Sequence, residues 1–331
     1  MKIQVERDVL AEAVAWTARA LPARPTVPVL AGMRLLAGND LTLSSFDYDV
    51  SAQATVPVVT EEEGSALVSG RLLAEISRSL PARPVQIASE GGKAVLTCGS
   101  ATFTLLTMPV EDYPTLPEMP PAAGSVGSDA FASAVGQSAT AAARDDTLPG
   151  LTGVRIEIEN DTLTLVSTDR YRLAIRELRW NPVRTGLSAS VLVPARALLD
   201  TARSLTSGAE VLIALGLPEE GGQAGDGMIG FEGAGRRTTT RLLSGEFPRY
   251  QSLLPSAVNA AAQLSTSLLA ESVKRVALVA ERNTAVRLAF SAGQLMLEAG
   301  TGDEAQAEEV IEAEFEGEDL SIAFNPQYLL D

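Results

Sequence analysis

The 331-residue chain contains no histidine. That removes the commonest general base and the commonest metal ligand. A single cysteine, Cys98, excludes an internal disulfide and fits a reducing, cytoplasmic compartment. No apolar run approaches the ~18 residues a membrane span needs. The N-terminus, "MKIQVERDVL", lacks the apolar stretch of a signal peptide. The phosphate-cradling loops and the nucleophile elbow of hydrolases are missing too. Asp47 and Asp49 in "SSFDYDV" are the best metal-ligand candidates, on one face of a predicted strand. No third carboxylate lies close to them in sequence, so a solvated strand face is the better reading.

What is present is apolar and repetitive. A hydrophobic fraction of 46% and this length indicate two or three packed domains. Three segments share one pattern: "GMRLLAGNDLTLSSFD" from Gly32, "GVRIEIENDTLTLVSTD" from Gly153 and "AVRLAFSAGQLMLEAG" from Ala285. Each reads small-apolar-Arg-apolar, then a polar turn, then Leu-x-Leu, which is a β-hairpin. A helix is predicted before each hairpin, within 7–21, 128–144 and 266–283. Val9, Ala13, Trp16 and Ala20 mark the apolar face of the first; Leu268, Val273, Val276 and Val279 mark that of the third. Ser128 and Thr266 or Ser267 are the expected N-caps. A second helix is predicted after each hairpin, within 69–81, 193–208 and 324–331. The unit is helix, hairpin-rich sheet, helix, sheet, used three times. Proline- and glycine-rich 117–129 and the segment 253–266 separate the copies, giving expected domains at 1–121, 125–254 and 255–331.

The net charge of −16 argues against nucleic acid only if it is spread evenly. It is not. The predicted helices 8–20, 70–80, 128–144, 195–205 and 267–283 hold nine Lys/Arg and seven Asp/Glu, net +2. The remainder holds 17 basic and 35 acidic residues, net −18. Solvated helix faces would produce this, and so would a helix-lined basic surface on an acidic body. The second arrangement predicts weak, salt-sensitive, sequence-independent DNA binding.

In "LTLVSTDRYRLAIRELRW", residues 163–180, a strand pattern is interrupted by Asp169, Arg170, Tyr171 and Arg172. From the residues alone this is a solvated strand end. Together with "ARPTVPVLAGMRL", "GEFPRYQSLLP" and "ERNTAVRL", and with the three repeats, it resembles the bacterial β sliding clamps, in an actinobacterial-like form. The motifs occur in family order over the whole chain. The resemblance implies an α+β DNA-clamp fold of three similar domains, each with two helices packed on antiparallel sheets, closing as a head-to-tail homodimeric ring around duplex DNA. It implies no catalysis and no cofactor. The implied partners are double-stranded DNA, the DNA polymerase III alpha subunit, the clamp loader, other proteins carrying clamp-binding peptides and a second copy of the chain.

The resemblance also implies residue roles. Arg24 matches an arginine that touches DNA, and Arg144, within the loop Arg144–Gly150, and Arg196 match DNA-facing positions. Arg71, Arg203, Lys274 and Arg282 belong with them on the helices. Pro149 and Gly150 stand where many relatives have aromatic residues. Leu151, Thr168, Arg172, Leu173, Pro248 and Leu253 match a peptide-binding pocket between domains two and three. Arg170 and Tyr171 at its mouth replace the commoner Gly-His. At the dimer interface, "EAQAEEVIEAEFEGE" with Glu308 and Glu309 is expected to pair with "CGSATFTLLT" around Phe103, supported by Leu72 and Ile76 against Leu278 and Val279.

Two other readings are open at this stage: a repeat-built hydrolase using carboxylates such as Asp169, and an interaction module with no DNA role. The repeat arithmetic further predicts a natural chain roughly 45 residues longer than Asp331. It also predicts a helix beginning at 325–331 and fewer strands in the third copy.

Overall fold

In the computed structural model, the described residues are 1–145, 147–206, 208–216, 227–280, 284–300 and 305–331. They form two compact units, Met1–Phe247 and Pro248–Asp331.

The repeat is legible in strand order. Its first copy places Val50–Pro57, Asp40–Phe46, Gly32–Ala37 and Gly64–Ser69 side by side. The second copy places Leu173–Arg179, Thr162–Thr168, Gly153–Glu159 and Ser188–Pro194 in the same order. The third does so with Ala307–Glu312, Gln294–Ala299, Val286–Ser291 and Leu320–Phe324. All neighbours are antiparallel. The glycine opening the first two hairpins has a steric cause. A Cβ on Gly32 would sit 2.6 Å from Leu67 Cδ1, and one on Gly153 would sit 2.8 Å from Leu192 Cγ. Both leucines lie on the strand that closes the set.

A second strand set follows in each copy. In the first it runs Ala101–Met108, Lys93–Cys98, Val85–Glu90, Lys2–Val5, Val59–Glu62. In the second it runs Arg236–Arg241, Met228–Gly233, Glu210–Gly216, Ala122–Gly127, Asn181–Pro182. The third copy has only Ala261–Gln263 paired with Glu314–Glu316 among the described residues. Arg236–Arg241 also pairs with Val50–Pro57, from Arg236↔Ala54 to Thr240↔Val50. The last strand of the second copy thereby extends the hairpin sheet of the first. Hydroxyls close this seam: Thr238 Oγ1 donates to Ser51 O at 2.6 Å, and Ser51 and Thr239 share a 2.6 Å contact.

Helices pack in pairs, α1 (Arg7–Thr17) with α2 (Gly70–Ser79), α3 (Ser128–Ala139) with α4 (Ala195–Ser204), and α5 (Thr266–Val276) with α6 (Pro326–Leu330). Ala13, Trp16 and Ala20 are buried as expected, but the core face of α1 is wider than expected: Leu10 and Val14 are fully buried too, and Val9 is only half-buried. Leu268 is likewise 36% exposed, while Val273 and Val276 are buried. The N-caps also differ from expectation. Gly127 precedes α3, and Ser128 Oγ donates to Gly208 O. Ser265, not Thr266 or Ser267, caps α5 by accepting from Leu268 N at 3.4 Å. Asn325 caps α6, which begins where the repeat predicts. Buried serines tie the helix ends to the sheet identically in two copies: Ser45 Oγ donates to Thr17 O, and Ser167 Oγ to Ser138 O.

Candidate functional site

The charged interruption at 168–173 is a built turn. Asp169 Oδ1 accepts from the backbone amides of Tyr171 and Arg172, both at 3.0 Å. Its Oδ2 accepts from Arg172 Nε at 3.0 Å. Thr168 Oγ1 donates to Arg172 O at 2.6 Å and accepts from Arg170 N at 3.2 Å. Arg170 takes φ 80°, the left-handed region that a non-glycine residue enters only at a cost. The turn joins two strands whose register is Thr168↔Leu173. Thr168 is buried, Leu173 and Arg172 are half-buried, and Tyr171 is 76% exposed.

The same turn recurs in the first copy. Asp47 Oδ1 accepts from Asp49 N at 3.0 Å and Val50 N at 2.6 Å, and Tyr48 has φ 75°. Asp47 and Asp49 therefore do not share a strand face, as the sequence suggested, because the strand ends at Phe46. The Asp47 carboxylate is engaged with its own backbone.

Leu151 is buried in the 3-10 turn Pro149–Leu151, at the entry to the strand Gly153–Glu159. The preceding loop approaches Arg170: the Asp145 carboxyl is held below its usual range first by the Thr147 amide and hydroxyl, and in part by the Arg170 charge. Pro248 and Leu253 belong to the other unit; Leu253 is 68% exposed in the 3-10 turn Tyr250–Leu253.

Arg24, Arg144, Arg196, Arg203 and Lys274 are exposed and carry no side-chain hydrogen bond or ion pair among the described residues. Arg282 lies outside the described residues. Arg71 differs: its Nη2 donates to Pro22 O at 2.9 Å and Ala23 O at 2.8 Å. Arg71 thus fastens the loop that presents Arg24, a positioning task the sequence did not signal.

Three of the interface candidates make contacts within their own unit. Ile76 is 7% exposed within the core of its own unit. Phe103 is also packed against that core. Glu309 faces α5, where Arg275 Nη2 meets its Oε1 at 2.5 Å and Ser272 Oγ donates to it at 2.7 Å. The Arg275 bond, then the Ser272 bond, lowers its carboxyl to about 2. Strand alternation is the reason: Glu309 and Ile311 turn inward, while Glu308 and Val310 turn out. Apolar side chains exposed on or beside these same elements include Leu72 (45%), Leu106 (73%), Leu278 (83%) and Val310 (50%). Leu106, on the outer face of its strand, was missed by the sequence reading.

Three copies of one helix-pair-on-sheet unit, the first two joined edge to edge, define a scaffold of the DNA-clamp class. Among the described residues there is no cluster of His, Cys, Asp or Glu that could hold a metal. Residues 1–117, 125–249 and 251–331 match the N-terminal, central and C-terminal domain families of the DNA polymerase III beta subunit. The chain is 62% identical to the beta sliding clamp of Streptomyces coelicolor over all of its own length and 87% of that protein. It is 50% identical to that of Micrococcus luteus, covering 94% of this chain and 98% of the relative. The crystal structure of a Pseudomonas aeruginosa sliding clamp bound to griselimycin superposes with TM-score 0.89 at 30% identity, over 100% of this chain and 88% of that one. The chain belongs to the bacterial beta sliding clamps, the beta subunits of DNA polymerase III. It is a non-catalytic processivity factor of the three-domain clamp fold, in a family that forms ring-shaped homodimers.

Proposed function

We propose that this chain closes a ring around duplex DNA by repeating, between subunits, the seam found inside its first unit. The observation that carries the reading is the pairing of Arg236–Arg241 with Val50–Pro57. By repeat equivalence, Ala101–Met108 corresponds to the first of these strands and Ala307–Glu312 to the second. Ala307–Glu312 has one strand neighbour among the described residues. Ala101–Met108 pairs along its length with Lys93–Cys98, and on its other side only at Thr107 and Met108. Two strands with open edges at opposite ends of a threefold repeat suit head-to-tail closure. Leu106, Leu72, Leu278 and Val310 would supply apolar contact, and Glu308 the polar rim. The domains are assigned to 1–121, 125–254 and 255–331.

In this reading Arg24, Arg144, Arg196, Arg203, Lys274 and Arg282 face the DNA, with Arg71 holding the Arg24 loop. The turn Thr168–Leu173, with Leu151, takes the apolar anchor of partner peptides, including that of the polymerase alpha subunit. Arg170 and Tyr171 flank it, and Pro248 and Leu253 are included on family resemblance. The protein works in the cytoplasm, which suits its single, buried thiol. Sedimentation and DNA retention test the reading together. The wild type should sediment as a dimer and stay on circular DNA but slide off when that DNA is linearised. A monomeric particle, or equal retention on both forms, would refute ring closure.

A further inference from the structure

The first unit contains a cavity of about 650 Å³ whose rim carries Arg196 but whose interior none of these assignments uses. It lies where the first and second copies meet, between the C-terminal end of α1 and the N-terminal half of α4. Its apolar wall includes Trp16, Leu21, Val50, Pro194 and Leu242. The volume is within the ~300–1,000 Å³ typical of sites that enclose a ligand.

One side of the cavity is the Asp47 turn, whose hydrogen bonds and left-handed residue duplicate those of the Asp169 turn. The charged groups around it fall into two kinds. Some are committed: Arg19 Nη1 donates to Asp200 O at 3.2 Å and its guanidinium lies 5.9 Å from the Trp16 ring centroid. Arg241 Nε donates to Tyr48 O at 3.1 Å. Arg196, in contrast, is exposed in the first turn of α4 with no side-chain partner among the described residues. It sits at the positive end of the helix, where an anionic group is favoured. The carboxylates of Asp49 and Asp200 stand at the same rim, exposed and unpaired among the described residues. They would keep a phosphodiester strand from entering the cavity, so that Arg196 meets DNA only from the rim, whereas a single carboxylate can reach Arg196 from inside and leave them in water.

We infer that this cavity is a peptide-binding site of its own, for a short linear segment with an apolar anchor next to one carboxylate. The anchor packs against Trp16, Val50 and Leu242; the carboxylate pairs with Arg196. The inference rests on the first unit alone and does not require the Thr168–Leu173 pocket to be occupied.

The test uses the full chain carrying Leu173→Asp, which silences the pocket proposed above. The probe is acetyl-Gly-Asp-Leu-Phe-Gly-amide, read by the indole N–H resonances of Trp16 and Trp180. The expected result is a saturable shift of Trp16 and none of Trp180. Arg196→Gln, or replacing the peptide aspartate by asparagine, should weaken binding by about tenfold, the loss of one charge-assisted hydrogen bond. Ala197→Trp, which fills the cavity, should abolish the shift. If that variant does not fold, the Arg196→Gln comparison decides alone. No Trp16 shift, affinity indifferent to Arg196→Gln, or a Trp16 shift produced by a short DNA duplex and not by the peptide would each overturn the inference.

Discussion

Asp169 organises its turn by accepting three hydrogen bonds on a carboxylate that is only 14% exposed. Asp169→Ala should therefore cost about 1–3 kcal/mol of first-unit stability in urea unfolding, because two backbone amides lose their acceptor. Arg170 makes the opposite case. Its φ of 80° suits glycine, so Arg170→Gly should raise stability by about 1 kcal/mol; an unchanged midpoint would show the strain to be absent. In the second unit, Arg275 and Ser272 hold the Glu309 carboxyl at about 2, below its ordinary 4.5. The unfolded chain then takes up this proton first as the pH falls. The stabilisation is complete above about 4.5 and is lost as the pH drops through about 2. Melting temperatures across that window should fall less steeply in Glu309→Gln than in the wild type, and parallel profiles would remove this group from the acid response.

At the scale of elements, the way each helix or strand packs separates residues that look alike in sequence. Ile76 and Leu72 lie on one helix, yet Ile76 is in the core and Leu72 is at the surface. An aspartate at Ile76 should destabilise the fold by at least about 3 kcal/mol and report nothing about assembly. An aspartate at Leu106, exposed on an open-edged strand, should change subunit stability by only about 0.5 kcal/mol while shifting the dimer towards monomer. Sedimentation and thermal melting on both variants separate the two effects. A Leu106→Asp protein that remains a full dimer would sink the proposed seam.

For the whole molecule, an acidic body with mildly basic helices predicts retention on DNA by topology more than by affinity. Each phosphate contact still leaves a mark on the salt dependence. Arg24→Ala should lower the slope of log K against log salt by about 0.9, the value for one phosphate contact. Arg71→Ala should lower it similarly by releasing the Pro22 and Ala23 carbonyls. The double variant should be no worse than Arg24→Ala, since both act through one loop. Anisotropy titrations over a salt series measure all three, and additive losses would give Arg71 a DNA contact of its own.

The threefold repeat, the hairpins and the paired helices are carried by local patterning, in which period-two and period-three-to-four spacings and polar turns act over a few residues. The exposed arginines came from the family motifs instead, since several, Arg144 beside Asp145 among them, have carboxylates close by in the chain. Which way a borderline side chain faces was not legible. In α1 Leu10 is fully buried beside a half-buried Val9, and alternation in Ala307–Glu312 turns Glu309 inward to Arg275 while Glu308 stays out. The role of Arg71 and the junction cavity depend on groups brought together from 48 to about 220 residues apart. Such meetings are set by how sheets and helices pack, and by the backbone carbonyls this exposes. Local sequence pattern specifies neither, so the tertiary structure alone decided them.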